Sequence, residues 1–244
     1  MLKRVSLSLL ACFGLTDARA DFDYDAGAGL ITVDADGSAS GFFVGGSYYF
    51  NTVRTSLGPL GAAVFLDKSS FVRAAVTEVD NGDSISLSSR FLLARQTIFE
   101  LSYTDSDFDS SLELGVGKYL TDTSALLFNY VEGDDVDSLG VNYTSFLPLA
   151  EGKSWAYDVG LAYIDAPSDS GLAISGGVTY YPQSNLGVGA TANISSAGDF
   201  DRNEFGINGQ YFFNPSISGT VALLTQEVGD TDLDIITLGV EARF

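Results

Sequence analysis

Seven clusters of aspartate are the side chains in this sequence whose spacing most invites a chemical role: Asp34/Asp36, Asp80/Asp83, Asp105/Asp107/Asp109, Asp134/Asp135/Asp137, Asp165/Asp169, Asp199/Asp201 and Asp230/Asp232. Paired carboxylates can move protons or ligate a hard cation. Proton transfer near neutrality usually recruits histidine as well, and the chain has none. A calcium loop of the EF-hand kind needs alternate Asp/Asn ligands, a glycine and a glutamate six residues further on; no cluster supplies them. The Gly-x-Gly pairs Gly115/Gly117 and Gly187/Gly189 lack the strand–turn–helix setting of a phosphate loop. Asn142-Tyr-Thr144 and Asn193-Ile-Ser195 match glycosylation sequons without any supporting context. No catalytic residue, cofactor or metal site is therefore expected, and the aspartates read as solvated turn tips.

The turns recur because regular elements lie between them. After residue 20 the chain divides into segments of about ten residues bounded by turn-formers, as in a transmembrane β-barrel. Strands are expected near 22–33, 39–50, 70–79, 84–93, 97–104, 110–120, 125–132, 137–147, 155–164, 171–181, 186–195, 203–213, 217–227 and 233–244. Fourteen is an even number, which returns both ends of the barrel to one side, and twelve is the alternative if the first two segments do not span. Trp155, Tyr157, Val159, Leu161 and Tyr163 share one face, against Ala156, Asp158, Gly160 and Ala162. The same alternation runs through Leu172–Tyr180 and Phe205–Phe213. A soluble sheet would carry Lys and Glu on its second face, whereas here that face is small and neutral. After residue 20 no uncharged apolar run reaches the ~18 residues of a membrane helix. The fold class expected is all-β, an antiparallel up-and-down barrel closed so that every backbone group is paired in lipid.

The N-terminus agrees. Met1-Leu2-Lys3-Arg4 is a basic opening, Val5–Leu15 is apolar, and Ala18-Arg19-Ala20 is an A-x-A signature. Residues 1–20 are read as a secretory signal cleaved after Ala20, and 21–244 as the barrel. Leu9-Leu10-Ala11-Cys12, containing the single cysteine, loosely resembles a lipoprotein box and is the less favoured alternative. The formal charge of −20 excludes nucleic acid as a partner.

The last strand names the compartment. Counting back in twos from Phe244 gives Ala242, Val240, Leu238 and Ile236, while the other register gives Arg243, Glu241, Gly239 and Thr237. A strand ending in Phe on its oily face resembles the C-terminal signature of bacterial outer-membrane barrels. The resemblance makes Phe244 an assembly signal read by the barrel-assembly machinery. It also implies the bacterial outer membrane as location, with lipid and lipopolysaccharide as surroundings.

Charge orients the barrel. Arg54, Lys68, Arg90, Arg95, Lys118, Lys153 and Arg243 fall at or near one set of turns and the clustered aspartates at the other, with Arg202 the one clear exception and the acidic start Asp21, Asp23 and Asp25 another departure. The basic set follows aromatic strand ends, as in Tyr119-Leu-Thr-Asp-Thr-Ser124, Tyr180-Tyr-Pro-Gln-Ser184 and Tyr211-Phe-Phe-Asn-Pro-Ser216, and is placed in the periplasm. The outer loops are expected to hold about four to eight residues.

Residues 51–69 are too long for a turn. Pro59 is placed to open a short helix through Leu66, and the segment is expected to narrow the periplasmic mouth. Tyr48-Tyr49-Phe50, Thr55-Ser56-Leu57-Gly58-Pro59-Leu60 and Ala62-Ala63-Val64-Phe65-Leu66 together resemble the N-terminal part of a family of small general porins of Gram-negative bacteria. Members often carry an acidic residue where this chain has Gly61. The resemblance implies an outer-membrane diffusion channel.

Eight strands leave room only for packed side chains and ~16–18 leave an aqueous channel, so inward residues decide the case at fourteen. They are mostly Gly, Ala, Ser, Thr and Asn, which predicts a water-filled path rather than a plug built of bulky groups. Candidate pore-lining charges are Arg73, Arg90, Glu100, Glu113, Asp158, Glu204, Glu241 and Arg243. Acids outnumber bases, which predicts weak cation selectivity. The function expected is passive passage of small hydrophilic solutes. The alternative is a non-conducting structural or adhesion barrel acting through its acidic loops. Oligomeric state is not legible.

Overall fold

Fourteen antiparallel strands close on themselves in sequence order: β1 (Phe22–Asp34), β2 (Ser38–Val53), β3 (Phe71–Val79), β4 (Gly82–Leu93), β5 (Thr97–Ser106), β6 (Ser110–Thr121), β7 (Ser124–Gly133), β8 (Asp137–Pro148), β9 (Ser154–Asp165), β10 (Ser170–Gln183), β11 (Leu186–Ala197), β12 (Phe200–Asn214), β13 (Ile217–Val228) and β14 (Thr231–Arg243). The computed structural model describes residues 21–34, 38–80, 82–94, 96–107, 110–134, 136–166, 169–197, 200–228 and 231–244. The signal segment with Cys12 and Ala20, Arg95, and the turn aspartates 36, 109, 135, 199 and 230 lie outside the described residues. No helix among them is long and apolar enough to cross a membrane.

Closure is made by β1 against β14, whose antiparallel register runs from Asp25↔Arg243 to Asp34↔Asp234. The backbone of Phe244 extends the seam: its carbonyl accepts from the N–H groups of Asp23 and Tyr24, and its N–H donates to Tyr24 O. Pairing every edge removes the open strand that lipid cannot satisfy.

Because side chains alternate across a strand, the period-two pattern decides which face each residue takes. Leu30, Phe42, Leu87, Leu101, Leu114, Phe128, Leu139, Leu161, Ile174, Ile207 and Leu238 all face outward and stay exposed. The outward register continues past this belt into acids: Val76 is followed by Glu78, Ile85 preceded by Asp83, Tyr130 followed by Glu132 and Ile236 preceded by Asp234. These acids belong to strands, not loops. Only two to four residues separate successive strands at that end, so the expected loops of four to eight residues are corrected downward.

The buried apolar residues, Ile164 and Ala197 excepted, gather at the opposite end, where the C-terminus lies. There the β2–β3 connection turns back into the barrel. It contains 3-10 turns at Thr55–Leu57 and Leu60–Ala62 and the single-turn helix α1 (Ala63–Leu66). Pro59, extended at φ −60° and ψ 145°, caps the second turn. Its missing N–H costs nothing there.

Candidate functional site: the lumen and its inward-folded turn

The inward segment owes its place to side chains that the sequence pattern assigned to other duties. Tyr48 and Phe50 face outward, but Tyr49 between them is 2 % exposed and points inside. The same holds for Tyr181 beside Tyr180, and for Phe212 between Tyr211 and Phe213. The aromatic doublets at strand ends therefore serve two purposes. One ring joins the outer interfacial band and its neighbour turns inward, where Tyr49 and Tyr181 seat the segment and Phe212 lies under the Arg243 guanidinium. A register shift between Phe22 and Tyr24 turns Phe22 inward as well. The expectation that the inward face lacks bulky groups is thus corrected at this end. An aromatic residue in the wet register of a strand was the signal that could have revealed it.

Three apolar clusters receive the segment around the wall. Val53 and Ala63 pack with Phe22 and Tyr49, joined by Val64 and Phe71. Ala62 and Leu66 pack on Phe146 and Tyr181. Phe65 reaches a third cluster of Ile98, Tyr119 and Ala125. Leu66 comes so close to Gly58 that a Cβ there would lie 2.4 Å from its Cδ1. At Gly61 a Cβ would meet the Gln210 amide at 2.9 Å and the Tyr181 ring at 3.2 Å, so a side chain would have to push Gln210 aside.

Polar contacts fix the backbone of the segment. Leu60 N–H donates to Ser184 O at 2.8 Å, and Arg243 Nη1 donates to Leu60 O at 2.9 Å. Tyr119 Oη donates to Phe65 O at 3.0 Å. Arg54 and Asp67 form an ion pair of 2.6 Å across the base of the loop. Lys68, in the left-handed region at φ 54°, directs its ammonium to Asp122 at 2.8 Å and over the Tyr119 ring at 5.1 Å. That ammonium holds the Asp122 carboxyl below its ordinary range, first through the hydrogen bond and then through charge attraction. Between the segment and the wall of β4–β10 remains a cavity of about 310 Å³, bordered by Phe65, Arg90, Glu100, Leu127, Asn142 and Ala156.

Arg73, Arg90, Glu100, Glu113, Asp158, Glu204, Glu241 and Arg243 all occupy the register opposite to the outward apolar side chains. Much of this charge is paired internally. Arg90 and Glu100 face each other across β4 and β5 at 2.5 Å. Arg243 meets Glu241 at 2.7 Å, and its guanidinium also lies over Phe22 at 4.6 Å and Phe212 at 4.4 Å. Arg202, which the charge pattern left as an exception, turns inward and meets Glu204 at 2.8 Å. Arg73 donates to Ser47 Oγ at 2.9 Å. Asp25, absent from the sequence-based set, is also inward and accepts from Tyr49 Oη. Glu113 accepts from Asn129 Nδ2 at 3.2 Å, and Asn142 Nδ2 donates to Asn129 Oδ1 at 3.0 Å, which makes a polar ladder across β6, β7 and β8. Among the described residues neither Glu113 nor Asp158 has an ion-pair partner.

No protein-family model and no curated protein sequence matches the chain. Solved structures do. The crystal structure of the Acinetobacter baumannii outer membrane protein Omp33 superposes with a TM-score of 0.74 at 18 % identity, covering 92 % of this chain and 99 % of that one. A bacterial polysaccharide outer membrane secretin superposes with a TM-score of 0.53 at 10 % identity, covering 91 % and 98 %. At these identities the likeness is one of fold: the chain has the closed fourteen-strand architecture of outer-membrane barrels, along nearly its whole described length.

Proposed function

We propose that the chain is an outer-membrane, porin-like channel for passive diffusion of small hydrophilic solutes, related to the small general porins its 48–66 segment resembles. In this reading residues 1–20 are an export signal removed after Ala20, and Phe244 closes the strand recognised during assembly. The barrel then stands in outer-membrane lipid and lipopolysaccharide, with the inward segment at the periplasmic mouth. The observation that carries the proposal is the inner wall beyond that segment. It is built largely of Gly, Ala, Ser, Thr and Asn, with the acids Glu113 and Asp158 in no ion pair among the described residues. Such a wall stays hydrated and favours cations weakly. The inward segment sets the bore, because it is seated on the wall of β1 to β10 and tied to β14.

Liposomes carrying the purified protein are expected to swell in small sugars and amino acids. Planar bilayers under a KCl gradient are expected to give a reversal potential on the cation side. Removing residues 55–68 with a short glycine linker is expected to raise conductance several-fold, since it takes away the core that spans the mouth. If neither the native barrel nor the shortened one conducts, the channel reading fails and a purely structural barrel replaces it. Adhesion through long acidic loops has little to stand on, since the connections at that end are two to four residues long.

A further inference from the structure

Alternation breaks down on four strands that neighbour one another in the ring. Leu30-Ile31-Thr-Val33 in β1, Phe42-Phe43-Val44 in β2, Leu223-Leu224 in β13 and Leu233-Asp-Ile235-Ile236 in β14 are apolar in both registers. Leu30, Phe42, Leu223 and Ile236 face outward and are exposed. Their neighbours Ile31, Val33, Phe43, Leu224, Leu233 and Ile235 consequently face the lumen, where each is half-buried. Register joins them into one patch: Ile235 pairs with both Val33 and Leu224, Leu233 with Gln226, and Phe43 with Gly29. None belongs to the three clusters that seat the inward segment.

Phe43 is the centre of this patch. Its ring occupies the space where side chains on Gly29 and Gly239 would stand, with Cε1 2.4 Å from a Cβ at Gly29 and Cζ 3.0 Å from one at Gly239. Two glycines on adjacent strands thus let an aromatic ring rest across the inner wall of β1 and β14. The opposite wall differs in carrying charge, although Leu127 and Val131 also face inward on it. In a ring of fourteen, β1 lies diametrically across from β8. That side carries the ladder Glu113–Asn129–Asn142 and, beside it, Asp158. Phe43 and Glu113 also stand at similar heights. Each lies six residues along its strand from an aromatic ring of the seat, Tyr49 and Tyr119 respectively, or roughly 20 Å of strand.

We propose that this two-faced lumen selects small amphipathic organic cations, meaning a protonated amine carried on an apolar body. This rests on the channel reading and specifies its solute. The apolar patch and the Phe43 ring take the body, and the ring face also attracts the cation. The unpaired acids on the far wall take the charge. A hydrophilic cation uses only the second wall, and an apolar anion only the first.

The test uses the full mature chain in planar bilayers, with K⁺ current as the readout. Phenethylammonium, ethanolammonium and phenylacetate serve as probes of the two walls. Phenethylammonium is expected to interrupt the K⁺ current at concentrations at least ~5-fold below ethanolammonium and below phenylacetate. Phe43→Ser, normalised to its own K⁺ current, is expected to shrink the gap between the two amines at least ~2-fold, the rest of the patch holding what remains. Glu113→Gln with Asp158→Asn is expected to erase the advantage over phenylacetate while leaving phenethylammonium ahead of ethanolammonium. Heat-modifiable gel mobility verifies that each variant is a folded barrel. A K⁺ current that all three probes block equally overturns this inference and leaves the channel standing. Absence of K⁺ current from both the native and the 55–68-deleted protein overturns the channel reading and this inference with it.

Discussion

Arg243 shows how much one side chain near the end of the chain can organise. It is 8 % exposed, lies between the rings of Phe22 and Phe212, pairs with Glu241 and donates to Leu60 O. It therefore joins the strand that closes the barrel to the segment that crosses it. Arg243→Met is expected to cost about 3 kcal/mol in urea unfolding from lipid vesicles, because it leaves the Glu241 carboxylate without its partner. Arg243→Lys is expected to fall between, since lysine keeps the charge but loses the flat, multiply donating guanidinium. Equal midpoints for Arg243→Met and the native protein would show that the contact is ornamental. Tyr119→Phe is a smaller change at the same scale. It removes only the bond to Phe65 O and should lower stability by about 1 kcal/mol.

At the scale of the element, the inward segment behaves as a small core with a barrel around it. Its seating depends on close approach at Gly58, where Leu66 fills the space a side chain would need. Gly58→Val is expected to unseat the segment, raising conductance and opening residues 55–68 to protease while the barrel keeps its heat-modifiable gel shift. Unchanged protection would mean the segment tolerates the substitution by moving as a unit. A second hold is electrostatic. Lys68 keeps the Asp122 carboxyl ionised below its ordinary range. A lowered carboxylate contributes its stabilisation above the ordinary range and loses it only as pH falls through the lowered value. Conductance is therefore expected to stay flat from neutral pH down into mild acid and to rise below that. Asp122→Asn should show a raised conductance at neutral pH, with no further acid step from this contact. The legible part of this element was its existence and its short helix after Pro59. What could not be read was which wall residues receive it, because nothing within residues 51–69 names the partners Phe146, Tyr181 and Arg243, the last of them 183 residues from Leu60.

For the whole molecule, the balance of inward charge sets ion preference. Arg90 with Glu100, Arg202 with Glu204, and Arg243 with Glu241 neutralise one another locally. Arg73 and Asp25, inward but in no ion pair with each other, offset one another in sum, which leaves Glu113 and Asp158 as the excess on the β6–β9 wall. Replacing both by their amides is expected to move the KCl reversal potential to zero or to the anion side. If cation preference survives undiminished, the acidic outer rim and not the lumen sets it.

What the sequence determined by itself was everything that depends on local period and punctuation. Alternation of period two, broken by turn-formers about every ten residues, specified the strands, their number, and which face of each strand meets lipid. The Phe244 strand and its pairing with the segment after residue 21 followed from the same pattern, since an up-and-down barrel must join its first strand to its last. Only the tertiary structure decided what happens inside. Closure brings side chains from distant strands to one height, and no periodicity encodes that meeting. The inward rings of Tyr49, Tyr119 and Tyr181 look like interfacial aromatics until the curved wall aims them at one segment. Ile31, Phe43, Leu224 and Ile235 look like lapses of alternation until register sets them side by side, opposite Glu113 and Asp158. Local sequence chooses the face of a strand, whereas only closure of the ring chooses what that face looks across at.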